Sequence, residues 1–279
     1  MNATHLTTIS GRDGRPLFGL RLAGVAVGAD DRVYALGDTS VRCYSRTHEF
    51  LHEFELDALG WSLLAEEAAV WVGMDGKLQE YTLDGKPGAV VSDAGRLGRV
   101  TAIAAVEDFL VVADSTNRAV YRYSRNGDYL GELGAEANTR GFMIPNGVLD
   151  LVGDQRNSTV LVAHPQKHRV ERYESSGPLA EKWGRFGMHS PGDFGGCCNP
   201  TNLAVAGSGV IAVSEKAPPR VKLYDEHGRF ESIVDEGIFD PNTKNIDLAF
   251  DSRNRLYATD PVRKVIEVFQ VHSAREATP

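Results

Sequence analysis

The side chains with the most pronounced chemistry in this sequence are two adjacent thiols, Cys197 and Cys198, in the stretch GRFGMHSPGDFGGCCNPT. Vicinal cysteines have three physical uses. They present two thiolates to a soft metal such as Cu or Zn, they close a strained ring on oxidation, or they pack as small apolar groups. His189 shares the stretch and His164 lies in the preceding repeat, so the candidate metal set is Cys197, Cys198, His189 and His164. No CxxC, helical HxxxH or second cysteine pair accompanies them, so no zinc signature is complete. Gly195-Gly196 permit close backbone approach before the pair, and Pro200 restricts the chain after it. A cation such as Lys216 beside the pair would lower a thiol pKa. The candidate ligand-binding set is Cys197, Cys198, Asn199, Glu215, Lys216 and Asn146.

The elements that must position these residues are short strands in a recurring phrase, plainest at Leu110 to Tyr123, where LVVADSTNRAVYRY reads strand, turn, strand. Each of six copies closes on an aromatic, at Tyr44, Tyr81, Tyr123, Tyr173, Tyr224 and Phe269, with a branched apolar residue three places earlier. Four copies place glycine four residues past that aromatic, at Gly85, Gly127, Gly177 and Gly228, where a hairpin needs a residue free to take positive φ. The first copy has His48 there. Copies one to five read as four-stranded meanders, with the fourth copy opening at Val148 and the sixth at Ile246. The sixth has three strands, and Leu6 to Ile9 form an unassigned strand at the other end of the chain. Pairing the two closes a ring and hides a sheet edge.

VADSTNRAVYRYSRNGDYLGELG resembles an NHL repeat, and similar phrases span nearly the whole chain. That resemblance implies an all-β, six-bladed β-propeller of four-stranded antiparallel blades, with the N-terminal strand closing the last blade. The expected domain is 1–270, followed by a flexible tail, 271–279. Members of this family bind protein, bind RNA or catalyse reactions, so the likeness specifies fold and leaves activity open.

In such blades the loops between second and third strands share a face with the links between blades. Those loops begin at Asp38, Asp75, Asp114, His164, Glu215 and Asp260, and the long links are Gly134 to Asn146, Gly184 to Thr201 and Asp235 to Asn245. Long links in a regular repeat carry binding residues without disturbing the strands, so this face is the expected site. Pro145-Asn146-Gly147 is similar to the PNG of calcium-dependent lactonases with six-bladed propellers. Asn146, Asn202 and Asp247 read as comparable first-strand starts, but the N-terminal glutamate that likeness requires has no counterpart. Arg118, Arg169, Arg220 and Arg263 precede the third strands, where pairing between blades with Asp114, Glu215 or Asp260 is the expectation. His164 and His168 are expected to hydrogen-bond a neighbouring blade.

A net charge of −8 argues against nucleic acid and anionic membrane as partners, since phosphate binding needs a basic footprint. Hydrophobic content of 42% is enough for a core, and no window approaches a membrane span. Three cysteines are too few for a disulfide scaffold. Met1 to Ser10 lack a basic stretch followed by an apolar one, so no secretory signal is read there and the default compartment is cytoplasmic. No GxSxG elbow, P-loop or strand-linked GxGxxG occurs. The expected function is a propeller scaffold, monomeric or weakly oligomeric, recognising a protein or small ligand on its loop face. The alternative is a metal-binding or redox-active propeller, including an enzymatic one, centred on the cysteine pair.

Overall fold

A computed structural model describes residues 1–272. Six antiparallel sheets of four strands form the ring, and in each the first strand lines the central channel. Blade one takes its strands from Leu22–Val27 to Phe50–Glu55, and blade three from Val100–Val106 to Tyr129–Leu133. Two first strands begin later than the sequence suggests: Leu151–Asp154 in blade four and Leu248–Phe250 in blade six.

Ring closure falls where the missing strand required it. Asn2–Ile9 is longer than the four residues expected, and it pairs antiparallel with Val265–His272 from Asn2 opposite His272 to Ile9 opposite Ile266. The last blade strand thus includes Val271 and His272, two residues past the expected domain boundary at 270; 273–279 lie outside the described residues.

The closing aromatics are the wedges between blades. Tyr123 packs with Trp71, Leu78 and Val91 of blade two, and Tyr224 with Leu161, Ala163 and Val170 of blade four. Tyr123, Tyr173 and Phe269 are wholly buried. The hairpin signal also translates: Gly85, Gly127, Gly177 and Gly228 all have positive φ, and His48 holds the same left-handed place at φ 70°. At Gly228 a side chain would run into the Trp183 ring 2.3 Å away, so glycine is required there for space as well as for φ.

Hydrogen bonds place the second-to-third loops and the blade links on one face. Asp38 accepts from the backbone N–H groups of Gly19, Leu20 and Arg21 at 2.7 to 3.0 Å, and Asp114 from that of Gly98 at 2.7 Å. Asp260 accepts from Asp240 N–H at 2.8 Å. The recurring acid fixes each link to the blade it enters by satisfying backbone donors that a loop otherwise leaves bare.

Three of the four arginines before the third strands pair within their own blades, not between blades, and Arg118 makes no ion pair among the described residues. Arg220 Nε donates to Glu215 at 2.5 Å, Arg169 Nε to Glu171 at 2.7 Å, and Arg263 to Glu267 at 2.6 Å. A hairpin brings residues a few positions apart onto one sheet face, whereas the neighbouring blade offers mainly apolar surface.

Candidate functional site

The link from Gly184 to Thr201 is built from its own contacts. Phe186 bridges to Phe194, Phe194 is wholly buried, and Arg185 donates to Asp193 at 2.9 Å, so the chain doubles back before reaching the cysteines. Asn199 then ties the cysteine turn to blade five. Its Nδ2 donates to Gly195 O at 2.7 Å, and its Oδ1 accepts from Lys216 N–H at 2.9 Å. Cys197, Cys198, Asn199 and Lys216 are therefore brought together.

The two thiols differ. Cys197 is exposed and Cys198 is buried, both are free, and their sulfurs lie 3.0 Å apart. The hydrogen bond from Cys198, then the charge of Lys216, lowers the Cys197 pKa. Burial raises that of Cys198, as does its contact with Cys197. The exposed thiol is thus the more acidic of the pair and the buried one the less acidic.

His164 and His189 do not complete a metal site with this pair. His164 is wholly buried in blade four, where Nε2 accepts from Met143 N–H at 3.1 Å and Nδ1 donates to Glu171 at 3.2 Å. Both ring nitrogens are committed. Burial lowers its pKa, consistent with a neutral ring. These partners belong to blade four and its link, not to a neighbouring blade. His189 is exposed, and among the described residues no three His, Cys, Asp or Glu side chains gather around a common point. Glu215 is also structural: it is wholly buried against Lys222 at 3.0 Å and Arg220 at 2.5 Å.

Beside Cys197 lies a shallow depression lined by Pro145, Gln166, His168, Phe186, Met188 and Gly196. Phe186 is 61% and Met188 73% exposed, while His168 packs edge-on against Phe186 at 4.9 Å. The sequence reading missed this surface, because neither residue is periodic with any strand. Their position in the longest link was the available signal.

A second polar cluster stands at the channel mouth. Asp150, Asn202 and Asp247 occupy the same place in blades four, five and six, where each carbonyl accepts from the second strand, from Ala163, Ser214 and Thr259 N–H. Asp150, not Asn146, is the blade-four member. The link turns at Gly147, φ 73°, and Asn146 instead donates to Asn245 of the link into blade six at 3.2 Å. Asp150 accepts from Leu203 N–H at 2.7 Å and Asp247 from Val25 N–H at 2.8 Å. Asn202 Nδ2 donates to Asp247 at 3.4 Å. Gly24 leaves the space, since a side chain there would meet Asp247 Oδ2 at 2.9 Å. Burial raises the Asp247 pKa to about 6. Burial, then the charge of Asp247, lifts that of Asp150 well above the usual range.

No family model matches the sequence, and no curated protein matches it. Solved structures do share the fold. A streptogramin B lyase is similar at TM-score 0.65 and 10% identity, covering 97% of this chain and 98% of that one. A catalytically inactive virginiamycin B lyase from Staphylococcus aureus, solved with quinupristin, matches at TM-score 0.62 and 14% identity, over 95% and 87% of the two chains. The WD40 β-propeller domain of Doa1 matches at TM-score 0.63 and 10% identity, over 99% of both. At these identities the likeness shows a β-propeller and nothing of its chemistry. Among the described residues no helix is long and apolar enough to cross a membrane.

Proposed function

We propose that this chain is an NHL-type binding propeller that receives an apolar group of a protein or small ligand on its loop face, beside Cys197. The observation that supports it is the pairing of Phe186 and Met188, both largely exposed, in one depression on the face where the longest links gather. Exposed aromatic and thioether side chains clustered in a concavity are the usual makings of a recognition surface. The cysteine reports on that surface. An apolar subsite next to the thiol should speed alkylation of Cys197 by N-benzylmaleimide relative to N-ethylmaleimide, and Phe186→Ser with Met188→Ser should erase the preference. Equal selectivity in parent and variant would refute the reading.

A redox role is the second reading, favoured by the 3.0 Å separation of the sulfurs and the acidified Cys197. Cys197 thiolate would attack oxidised glutathione and release one reduced glutathione. Cys198 would then displace the second, closing the ring with loss of both thiol protons. Intact mass after incubation with oxidised glutathione decides this: loss of two hydrogens in the parent, and a retained glutathione adduct in Cys198→Ser, is expected.

A further inference from the structure

We infer that the central channel binds a small organic ammonium ion, with its charged head between Asp150 and Asp247 and its apolar body along the channel wall. This goes beyond the loop-face reading and uses a different cavity.

The channel encloses about 560 Å³, within the range of small-ligand sites. Below the aspartates its wall carries the apolar residues Val25, Leu63, Ile103, Leu151, Val205 and Phe250, one from each of the six blades, together with Ser62, Thr101 and Gln155. The mouth holds two carboxylates with no ion-pair partner among the described residues; backbone N–H groups and the Asn202 amide are their donors. Other charged lining groups are occupied or displaced. Arg21 donates to Gly60 O, Glu66 pairs with Arg125, Glu67 lies at the opposite hairpins, and Lys244 is exposed on its link.

Asn202 supplies the independent sign of a missing ligand. It is 4% exposed and lines the channel, yet its Oδ1 is buried without a donor. A buried carbonyl left unpaired is unfavourable, because it loses its hydrogen bonds to water without replacement. Asp150 and Asp247 offer a primary ammonium two charged acceptors, and Asn202, whose Nδ2 lies 3.4 Å from Asp247, brings an unpaired Oδ1 to the same cluster. The ligand charge would also relieve the repulsion between the two aspartates, whose protein donors are the Leu203 and Val25 backbone N–H groups and the neutral Asn202 amide. A bare divalent ion would leave the long apolar wall unused, so the chemistry favours an amine with a hydrocarbon body.

The test is calorimetric titration of the full chain near pH 8 with n-hexylammonium, n-butylammonium, n-hexanol and calcium chloride. Hexylammonium should bind more tightly than butylammonium, and hexanol should not bind measurably. Asp150→Asn and Asp247→Asn should each weaken hexylammonium at least about tenfold, as loss of a buried charge partner does. Filling the wall by Ala104→Phe should weaken it while leaving the aspartates in place. Chain-length and alcohol comparisons use only the parent protein, so a misfolded variant does not blunt the test. Hexanol binding equal to hexylammonium, no amine binding, or calcium binding without amine binding would each overturn the proposal.

Discussion

Asp247 resists ionisation in the folded chain because burial removes the water that would solvate its charge, and its pKa stands at about 6 against an ordinary 3.8. Between those values the folded state holds more protons than the unfolded one. Stability from this group is therefore full below about pH 4 and is lost as pH rises through about 6. Asp247→Asn should raise the melting temperature more at pH 8 than at pH 4.5, measured against the parent at each pH. Arg21, Lys244, Glu66 and Glu67 are common to both proteins, and Asp150, whose pKa the Asp247 charge raises, titrates more readily in the variant, so the difference reads the Asp150–Asp247 pair. A difference that does not change with pH would mean the carboxylate is solvated. At the thiols the contrast is one of access and charge. Cys43 is wholly buried with its pKa raised by burial, Cys198 is buried, and Cys197 is exposed near Lys216. Iodoacetamide followed by peptide mapping should modify Cys197 first, and Lys216→Met should slow that reaction by removing the nearby cation. If the rate does not move, the acidity comes from Cys198 alone.

At the scale of strands and links, the closing aromatics carry each blade onto its neighbour. The Tyr224 ring packs at a tilt against Trp183 at 4.5 Å and Phe194 at 6.0 Å, and Tyr123 is sealed among blade-two residues. Tyr123→Ala and Tyr224→Ala should each cost about 2 to 4 kcal/mol in chemical denaturation, from lost apolar burial plus the cavity left behind. A loss below about 0.5 kcal/mol in both would place these rings at the surface. These wedges, the hairpin glycines and the closing strand were legible because a repeat states each of them several times. The link residues were not. His164 looks like free loop chemistry in one dimension, yet folding seals it against Glu171, which Tyr173 and Arg169 also hold. Burial disfavours the Glu171 charge, but these donors outweigh it and hold the carboxyl well below the usual range. Asp150 escaped notice for the opposite reason. Its link is long enough to shift the start of blade four past Asn146, and only the backbone bond from Ala163 reveals the register it shares with Asn202 and Asp247.

For the molecule as a whole, the closing strand decides whether six sheets behave as one ring. Asn2–Ile9 covers the edge of Val265–His272, and Met1 and Ala3 pack against the apolar cluster shared by blades five and six. Its polar side chains matter as well. Glu267 is wholly buried, and His5 at 2.8 Å and Thr8 at 2.6 Å supply two of its partners, with Arg263 the third. Removing residues 1–10 would strip Ile9 from the core, leave Glu267 with Arg263 alone and expose an unpaired strand edge. The expected outcome is a marked fall in melting temperature together with self-association, since a bare edge is a template for another chain. Differential scanning calorimetry reads the first effect and light scattering the second. If one chain end merely leaned on the other, the truncated protein would melt like its parent and stay monodisperse. That result would show that the five continuous blades hold the sixth in place without the strand from the opposite end of the chain.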